Sequence, residues 1–420
     1  MKKTILPGKI HPAEIFLPSS KSLAHRALIT ASLAKGDSVI HALAMNNDTQ
    51  ATIAVMEKAG ASFERDGEDL IVHGIEHMNY DGSRLDCGES GSTLRFLIPL
   101  FSLCPQTAVF TGHGKLMERP QNVYAQLYGE QSLRFERKDS QLFVEGPLKA
   151  GTYRLKGDVS SQFISGLLFA LPLVEGNSII EVLPPFESAS YVGLTLDALK
   201  RSGIHIEQDG LTYHIQGNQT YQPINCTVEG DDSQMAFFAE EAMIHNVPLD
   251  VCNVSHTSHQ GDHVILKYAE MLGGLASETN QGYRFNSRTL KGAELDLADC
   301  PDLGPALFAL ATQCQGTTVF HHVARLRMKE SDRIACMETE LRRLGCTITS
   351  DQDSVTITGA SPIHGNVTLQ GHNDHRIVMA LSILASIADG PVCIEGCEAV
   401  NKSYPNFFED LAGTGVIIHD

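Results

Sequence analysis

The densest group of charged side chains lies between Arg325 and Arg333, where four cations and two acids occur within nine residues. Apolar residues follow at Ile334, Met337 and Leu341 with helical spacing, so the group precedes a predicted amphipathic helix. Alone, such a group is typical of solvated surface. Similar polar motifs recur at Lys21–Arg26, Glu118–Pro120, Ser160–Gln162, Asn373–Arg376 and Asn401–Ser403. Together they predict a site for small anions, because fixed cations bind phosphate and carboxylate groups strongly.

The overall charge of the chain is strongly negative, with 32 Lys and Arg against 50 Asp and Glu and a net charge of −18 at pH 7. Binding to a nucleic-acid backbone needs a basic face, so we expect no nucleic-acid partner. An acidic protein that gathers its cations into a few motifs is expected to bind small anions there. The alternative is that nearby carboxylates neutralise these cations.

The sequence carries no pattern typical of secreted or membrane proteins. Met1–Lys3 is charged, but Pro7–Lys9 stands where the apolar part of a secretory signal would lie. The longest uncharged runs, Phe163–Val174 and Ile377–Ala388, are too short to span a bilayer. Ten cysteines without a paired framework indicate reduced thiols. We therefore expect a cytoplasmic protein with no membrane association.

Two residue pairs have a spacing that could ligate a metal, namely Cys393 with Cys397 and His372 with His375. Neither pair has a second Cys or His pair with the usual spacing elsewhere in the chain. A structural metal site normally needs four such ligands, so we expect no metal.

The chain repeats a supersecondary unit with a period of about 70 residues. Helices are predicted to begin near Ser22, Ser90, Ser160, Asp232, Asp302 and Asp374. A strand, a polar loop and a second helix follow, and glycines end the second helices at Gly60, Gly203, Gly273, Gly345 and Gly413. Alternating apolar residues around Asp66-Gly67 and Asp209-Gly210 predict closing hairpins. Each unit is therefore interpreted as βαβαββ.

Six such units predict an α/β (α+β) fold with two similar lobes of three units each. We expect residues 1–17 to form the first strands and join the C-terminal lobe, residues 18–228 to form the N-terminal lobe, and residues 229–420 to form the C-terminal lobe. Helix N-termini favour anions, and we expect several of them to converge on a cleft between the lobes. A solenoid or barrel that serves only as an interaction scaffold is the alternative.

The same motifs, taken in order, resemble those of the enolpyruvyl transferase family. The matching segments are Lys21-Ser22, His25-Arg26, Gly91–Thr93 with Arg95, Glu118–Pro120, Ser160–Gln162, Asp302, Lys329–Arg333, Asn373–Arg376 and Lys402–Pro405. They cover essentially the whole chain, and Lys329–Arg333 and Asn373–Arg376 are the most specific. The fold of that family, two lobes of three βαβαββ units, agrees with the repeat described above.

The resemblance implies an enzyme of the shikimate pathway, which leads to chorismate and the aromatic amino acids. In this branch of the family, the enolpyruvyl group of phosphoenolpyruvate passes to the 5-hydroxyl of shikimate 3-phosphate, and phosphate is released through a tetrahedral intermediate. Both substrates are polyanions, which accounts for the several fixed cations. No cofactor and no metal are implied, and we expect a monomer.

The resemblance also implies a role for individual residues. Those implied in catalysis are Asp302, Glu330 and Lys21. Those implied in binding phosphoenolpyruvate are Lys21, Gly91, Arg119, Gln162, Arg333, Arg376 and Lys402. Those implied in binding shikimate 3-phosphate are Lys21, Ser22, Arg26, Ser160, Ser161, Gln162, Ser188, Tyr191, Asp302 and Lys329. Arg95 and Arg325 are not carried over, because the first is interpreted as structural and the second departs from the family pattern.

Structural alternatives stay open for several of these residues. Ser160 and Ser161 could cap a helix, Gly91 could serve only a turn, and Tyr191 could be a packing residue. Asp302 could be a helix N-cap, and Glu330 could pair with Arg333 at i,i+3.

Two other functions also remain possible for the whole chain. The first is enolpyruvyl transfer to UDP-N-acetylglucosamine, although the loop Gly112–Met117 lacks the Cys usual in that branch. The second is a catalytically silent anion-binding relative, although both acids and the cations are kept.

Overall fold

The strands of the chain form six sheets of four strands each. The computed structural model describes residues 1–420. Its strands are β1 (Lys2–Leu6), β2 (Ala13–Phe16), β3 (Gly36–His41), β4 (Ser62–Asp66), β5 (Asp69–Gly74), β6 (Arg84–Asp86), β7 (Ala108–Thr111), β8 (Phe135–Lys138), β9 (Gln141–Val144), β10 (Thr152–Lys156), β11 (Ser178–Leu183), β12 (Ile206–Asp209), β13 (Thr212–Ile215), β14 (Asn225–Thr227), β15 (Leu249–Cys252), β16 (Gly274–Thr279), β17 (Gly282–Ser287), β18 (Glu294–Asp296), β19 (Thr317–His321), β20 (Thr347–Ser350), β21 (Ser354–Thr358), β22 (Val367–Gln370), β23 (Val392–Glu395) and β24 (Ile417–His419). Its α-helices are α1 (Lys21–Leu33), α2 (Asn47–Lys58), α3 (Gly91–Phe101), α4 (Asn122–Glu130), α5 (Ser161–Ala170), α6 (Ala189–Arg201), α7 (Asp232–His245), α8 (Ile265–Met271), α9 (Gly304–Ala311), α10 (Arg333–Arg343), α11 (His375–Ala385) and α12 (Phe407–Gly413).

All six sheets share one arrangement of parallel and antiparallel strands, which the repeat from β6 to β9 illustrates. Strands β6 and β7 are parallel, and α3 lies between them in the chain, as a parallel connection requires. Strand β7 is antiparallel to β9, and the hairpin β8–β9 completes the strand order β6-β7-β9-β8. The βαβαββ unit predicted from the sequence is therefore the observed repeat.

Three of the sheets take a strand from a distant part of the chain. Strand β14 is parallel to β3, strand β2 is parallel to β15, and β1 lies between β23 and β24 with antiparallel pairing to both. The two N-terminal strands thus complete sheets whose other strands come from the second half of the chain.

The chain divides into two compact units. We call Ser19–Glu229 the N unit, and Met1–Pro18 together with Gly230–Asp420 the C unit. The N unit contains β3 to β14 and α1 to α6, and the C unit contains β1, β2, β15 to β24 and α7 to α12. Each unit has its own apolar core.

Within each unit, three helices form the centre of the core. In the C unit, every residue of α9 and α11 is buried, since both helices are apolar on nearly all sides. Helices α7, α9 and α11 pack against one another. In the N unit the corresponding helices α1, α3 and α5 begin at Lys21, Gly91 and Ser161, which are 70 residues apart. The predicted period of about 70 residues is thus the spacing of these central helices.

The second helix of each repeat lies nearer the surface, and α10 shows why. Its apolar residues Ile334, Met337 and Leu341 are buried, while the opposite side of the helix is charged. The amphipathic helix predicted after Arg333 is confirmed.

Two predicted helix boundaries hold to within two residues but differ in detail from the pattern. Four of the five predicted glycines follow their helices with left-handed φ, but Gly413 lies within the last turn of α12 and Gly415 takes that conformation instead. The helix expected near Asp302 begins at Gly304, because a 3-10 turn over Pro301–Leu303 comes first.

No helix in the structure combines the length and apolar character that crossing a bilayer demands.

All ten cysteines are free thiols, and seven of them are buried. Burial raises the pKa of several, including Cys314 and Cys346, to about 12, so these thiols are protonated and unreactive at neutral pH.

Candidate active site

Polar residues at the first turns of four helices in the N unit are linked to one another. The ammonium of Lys21, the first residue of α1, donates to the Asp48 carboxylate in the first turn of α2 at 3.0 Å. The Asp48 carbonyl accepts from the Thr93 hydroxyl of α3 at 3.4 Å. Gln162, in the first turn of α5, donates to Ser92 of α3 at 3.0 Å. Four helix N-termini are thereby joined, and their N–H groups and dipoles favour bound anions.

Gly91 lies directly beside the guanidinium of Arg119. A Cβ at Gly91 would lie 2.7 Å from Nη1 of Arg119 and 3.7 Å from Oε1 of Gln162. A side chain at residue 91 would have to displace the Arg119 guanidinium, so glycine here leaves that guanidinium in its present position. The same Gln162 oxygen accepts from Arg95 at 2.8 Å, and Arg95 also donates to the Pro120 carbonyl at 3.1 Å. Arg95 thus holds together the segments that carry Gln162 and Arg119.

The guanidinium of Arg26 is directed at neighbouring protein groups. It donates to the Ser22 carbonyl at 2.6 Å, to the Tyr191 carbonyl at 2.7 Å and to the Thr195 hydroxyl at 2.9 Å. These bonds bring Ser22 and Tyr191, predicted to bind the same substrate, to one guanidinium. They give Arg26 a supporting position, and its direct contact with substrate stays a prediction.

Three predicted serines occupy helix starts. The Ser160 hydroxyl accepts from the backbone N–H of Gln162 at 3.3 Å and caps α5, so the capping alternative holds for Ser160. Ser161 is the buried first residue of that helix. Ser188 is buried in a left-handed conformation, with φ of 55°, immediately before α6.

In the C unit, the carboxylate of Asp302 forms ion pairs with three cationic side chains. Lys329 Nζ lies 3.0 Å from Oδ1, Arg333 Nη1 lies 2.9 Å from Oδ1, and Arg376 Nη2 lies 3.2 Å from Oδ2. Arg376 also donates to the Ser233 hydroxyl at 2.8 Å. The N-cap alternative for Asp302 is wrong, because its carboxylate pairs with cations and α9 begins two residues later.

Arg333 connects three carboxylates. Its side chain is only 1% exposed and donates to Asp302, to Glu330 at 2.8 Å and to Asp374 at 2.9 Å. A buried guanidinium requires such partners, because desolvation of an uncompensated charge costs several kcal/mol, roughly 3–5. Glu330 forms the i,i+3 pair with Arg333 that the sequence offered as its structural alternative. The pairing also fixes the Glu330 carboxylate beside the cations that surround Asp302.

Lys402 joins this group through the backbone. Its ammonium donates to the Asn373 carbonyl at 2.6 Å, and the next residue, Asp374, accepts from Arg333 and from the Ser331 hydroxyl. Lys402 therefore binds the residue next to Asp374, one of the three carboxylates that hold Arg333.

The charges around Asp302 determine its protonation. Burial raises the pKa of Asp302, but Arg376, Lys329 and Arg333 outweigh burial and hold the pKa well below its ordinary value. Burial lowers the pKa of Lys329, Asp302 opposes this effect, and the positive charges of Arg333 and Arg325 reinforce it. Asp302 is consequently ionised at neutral pH and can accept a proton.

Each unit therefore gathers its own cluster of predicted residues. The N cluster consists of Lys21, Gly91, Arg119, Ser160, Ser161 and Gln162, with Ser22, Arg26, Ser188 and Tyr191 beside it on α1 and at the start of α6. The C cluster consists of Asp302, Lys329, Glu330, Arg333, Arg376 and Lys402.

Several contributing residues were not selected from the sequence. Asp48 and Asp374 stand at helix starts, where an acidic residue is a recognisable signal, and they hold Lys21 and Arg333. Arg95 and Arg325 were set aside, yet Arg95 holds Gln162 and the charge of Arg325 acts on Lys329.

Comparison with known proteins assigns the chain to a family. The family described as EPSP synthase (3-phosphoshikimate 1-carboxyvinyltransferase) matches residues 7–411. The chain belongs to the EPSP synthase family. The family predicted from the motifs is therefore confirmed over nearly the whole chain.

Relatives in the EPSP synthase family cover the full length of the chain. The 3-phosphoshikimate 1-carboxyvinyltransferase of Clostridium kluyveri is 40% identical over 418 residues, which cover 98% of the chain and 97% of that protein. The protein of the same name from Clostridium acetobutylicum is 39% identical over 424 residues, which cover 98% of the chain and 98% of that protein.

Solved structures of EPSP synthase have the same fold. A structure of EPSP synthase from Acinetobacter baumannii matches with a TM-score of 0.82 and 27% identity, over 100% of the chain and 99% of that protein. The enolpyruvyl transferase NikO from Streptomyces tendae matches with a TM-score of 0.81 at 15% identity, which shows the fold alone. The predicted fold class is confirmed.

Proposed function

We propose that the chain transfers the enolpyruvyl group of phosphoenolpyruvate to the 5-hydroxyl of shikimate 3-phosphate, giving 5-enolpyruvylshikimate 3-phosphate and phosphate. The observation that carries this proposal is the ionised Asp302 carboxylate held by Lys329, Arg333 and Arg376 in a chain of the EPSP synthase family. A carboxylate among fixed cations can accept a proton where anionic substrates bind.

The reaction makes one C–O bond and later breaks another. The 5-hydroxyl oxygen of shikimate 3-phosphate attacks C2 of phosphoenolpyruvate and loses its proton, while C3 gains a proton, which gives a tetrahedral intermediate. Loss of a proton from C3 then expels phosphate from C2 and restores the double bond. We assign the hydroxyl proton to Asp302, and the remaining transfers to Glu330 with assistance from Lys21.

The cations account for the binding of two polyanions. In our assignment, Lys21, Gly91, Arg119, Gln162, Arg333, Arg376 and Lys402 bind phosphoenolpyruvate. Shikimate 3-phosphate is bound by Lys21, Ser22, Arg26, Ser160, Ser161, Gln162, Ser188, Tyr191, Asp302 and Lys329. Each charge-assisted hydrogen bond contributes about 1.5–3 kcal/mol, and planar guanidinium groups can hold two oxygens at once.

Substrate binding also activates the base. Bound phosphate and carboxylate groups neutralise part of the positive charge that lowers the pKa of Asp302. The pKa of Asp302 then rises towards the range in which a carboxylate is an effective base. Proton abstraction is thereby coupled to the presence of anionic substrates.

A phosphate-release assay tests the proposal. The purified protein is incubated with phosphoenolpyruvate and either shikimate 3-phosphate or UDP-N-acetylglucosamine, and phosphoenolpyruvate alone is the control. We expect phosphate only with shikimate 3-phosphate. Release only with the nucleotide sugar would identify the alternative acceptor, and no release with either would favour a silent anion-binding relative.

We further propose a cytoplasmic monomer that needs no cofactor or metal. The free thiols of all ten cysteines fit a reducing compartment. Light scattering of the purified protein should give the mass of a single chain, 45.7 kDa, and activity should survive treatment with a metal chelator.

A further inference from the structure

The Glu340 carboxylate, on the buried side of α10, holds the segment that precedes α11. Its side chain is fully buried, and Oε1 lies 2.8 Å from Nε2 of His372. Oε2 accepts from the backbone N–H of Gln370 at 3.2 Å and lies 3.7 Å from the Arg343 guanidinium. One carboxylate therefore fixes both the end of β22 and the ring of His372.

His372 and Asn373 both have left-handed backbone conformations, with φ of 51° and 53°. For residues other than glycine this conformation costs free energy, and two such residues in succession persist only when surrounding contacts hold them. The Glu340–His372 bond supplies such a contact from one side. The turn at residues 372–373 is therefore held by this pair together with its own closing bond, in which the backbone N–H of Asp374 donates to the Gly371 carbonyl at 2.9 Å.

The other side of the same turn carries the C cluster. The Asn373 carbonyl accepts from Lys402 at 2.6 Å. The Asp374 carboxylate accepts from Arg333 and, through Oδ1, from the N–H of Arg376 at the start of α11. A change in the backbone at His372 would thus move the acceptors of the Lys402 ammonium and the Arg333 guanidinium, and with them the first turn of α11, which carries Arg376.

The pair that holds the turn is ionic. Hydrogen bonds to the Cys336 side chain, which has the larger effect, and to the Glu340 carboxylate raise the pKa of His372 to about 9, although partial burial lowers it. His372 is therefore charged at neutral pH and makes a charge-assisted bond to a buried carboxylate. This bond offsets part of the conformational cost of the turn.

We propose that Glu340 and His372 are positioning residues for phosphoenolpyruvate, which hold the turn at residues 372–373 so that its carbonyl directs the ammonium of Lys402 towards the substrate. Neither residue touches the substrate. The inference rests on the proposed function, in which Lys402 binds phosphoenolpyruvate.

The test compares Glu340→Gln with Glu338→Gln. Glu338 lies on the same helix and pairs with Arg342 and Ser350, away from the turn, so its variant is a matched control. Glu340→Gln should raise KM for phosphoenolpyruvate by about 10-fold, the effect of weakening one charge-assisted contact. KM for shikimate 3-phosphate should change less than about twofold, and Glu338→Gln should change neither.

A second pair of variants tests the same contact from the His372 side, in case Glu340→Gln does not fold. His372→Gln retains an N–H donor for Glu340, whereas His372→Leu does not. His372→Leu should reproduce the effect on KM for phosphoenolpyruvate, and His372→Gln should recover most of the loss. Equal losses in both His372 variants, or equal rises in KM for both substrates, would overturn the proposal.

Coupling to Lys402 gives the sharpest result. In a Lys402→Met background, Glu340→Gln should cause no further rise in KM for phosphoenolpyruvate. The proposed effect of Glu340 requires the Lys402 ammonium, which this background lacks. Independent losses that multiply would overturn the proposal.

A chemical readout separates this inference from the proposed function. The rate at which an acylating reagent modifies Lys402, followed by peptide mass spectrometry, should rise in Glu340→Gln and not in Glu338→Gln. An unchanged rate would overturn the link between Glu340 and Lys402 whatever the activity. Absence of phosphate release from the unaltered protein would instead defeat the proposed function, while the modification rate would still decide the link.

Discussion

Asp302 has to satisfy two opposing requirements. A base must be ionised before it can accept a proton, but an acid whose pKa is too low accepts protons poorly. The three cations that surround Asp302 secure the first requirement and work against the second. In the proposed reaction the substrates resolve the conflict, because their negative charges compensate those same cations.

Asp302→Asn should separate binding from turnover. An amide oxygen still accepts hydrogen bonds from the cations near residue 302, but the amide cannot take a proton. We expect kcat to fall by roughly 10²- to 10⁴-fold while substrate affinity, measured by calorimetry, changes little. The exposed Asp299, three residues earlier, provides the control variant Asp299→Asn, which should keep near-normal turnover. Near-normal turnover in Asp302→Asn would end its assignment as the base.

At the scale of single elements, the first turns of the central helices carry several of the proposed site residues. Helix α11 is buried along its whole length, and its charged and ionisable residues, His375 and Arg376, stand at its N-terminus. There Asp374 caps the helix and also neutralises Arg333. The same residue thus stabilises the element and fixes a cation of the candidate site.

Asp374→Asn should show that the charge of Asp374 matters more than its capping bond. Asparagine caps helices as well as aspartate does, but it leaves the buried Arg333 short of one negative charge. We expect the free energy of unfolding to fall by about 2–4 kcal/mol in urea titrations. Asp332, which caps α10 and has a side chain that is 38% exposed, is the matched control. A loss as large in Asp332→Asn would mean that capping, not charge, dominates.

The sequence allowed the repeat and most helix starts to be predicted, because these depend on local signals. Apolar periodicity, helix-capping residues and Asp-Gly turns act over a few residues. The pairing of charges was not predictable, because Lys21 meets Asp48 across 27 residues and Arg333 meets Asp374 across 41. The position of Glu340 shows the same limit, since nothing local relates it to His372, 32 residues further on.

At the scale of the whole molecule, the C unit contains buried acids that take no part in the proposed reaction. Glu240 and Glu241 lie on α7, and Glu241 accepts from the Thr414 hydroxyl at 2.6 Å. Burial raises the pKa of Glu241 to about 8, against the opposing effect of the Thr414 bond. In the unfolded chain the same group titrates near its ordinary value of 4.5. The folded state therefore holds a proton that the unfolded state releases.

Stability should consequently fall as the pH rises. The contribution of Glu241 is fully present below the unfolded pKa and is lost progressively until the pH passes the folded pKa near 8. Between about pH 6 and pH 8, the unaltered protein should lose about 2–3 kcal/mol more of its free energy of unfolding than Glu241→Gln. Urea titrations at several pH values measure this difference, and the exposed Glu270→Gln on α8 is the control. Parallel pH profiles for the unaltered protein and Glu241→Gln would contradict the prediction.

The pairing of β1 and β2 with late strands has a consequence for biosynthesis. The N unit is one uninterrupted stretch, so a nascent chain can complete it once residue 229 has left the ribosome. The C unit must wait, because β1 needs partners from residues 392–395 and 417–419. Strand β1 therefore stays without both of its neighbours until residue 419 has been translated, and the apolar Ile5, which is buried in the folded protein, lacks its packing partners for that whole interval.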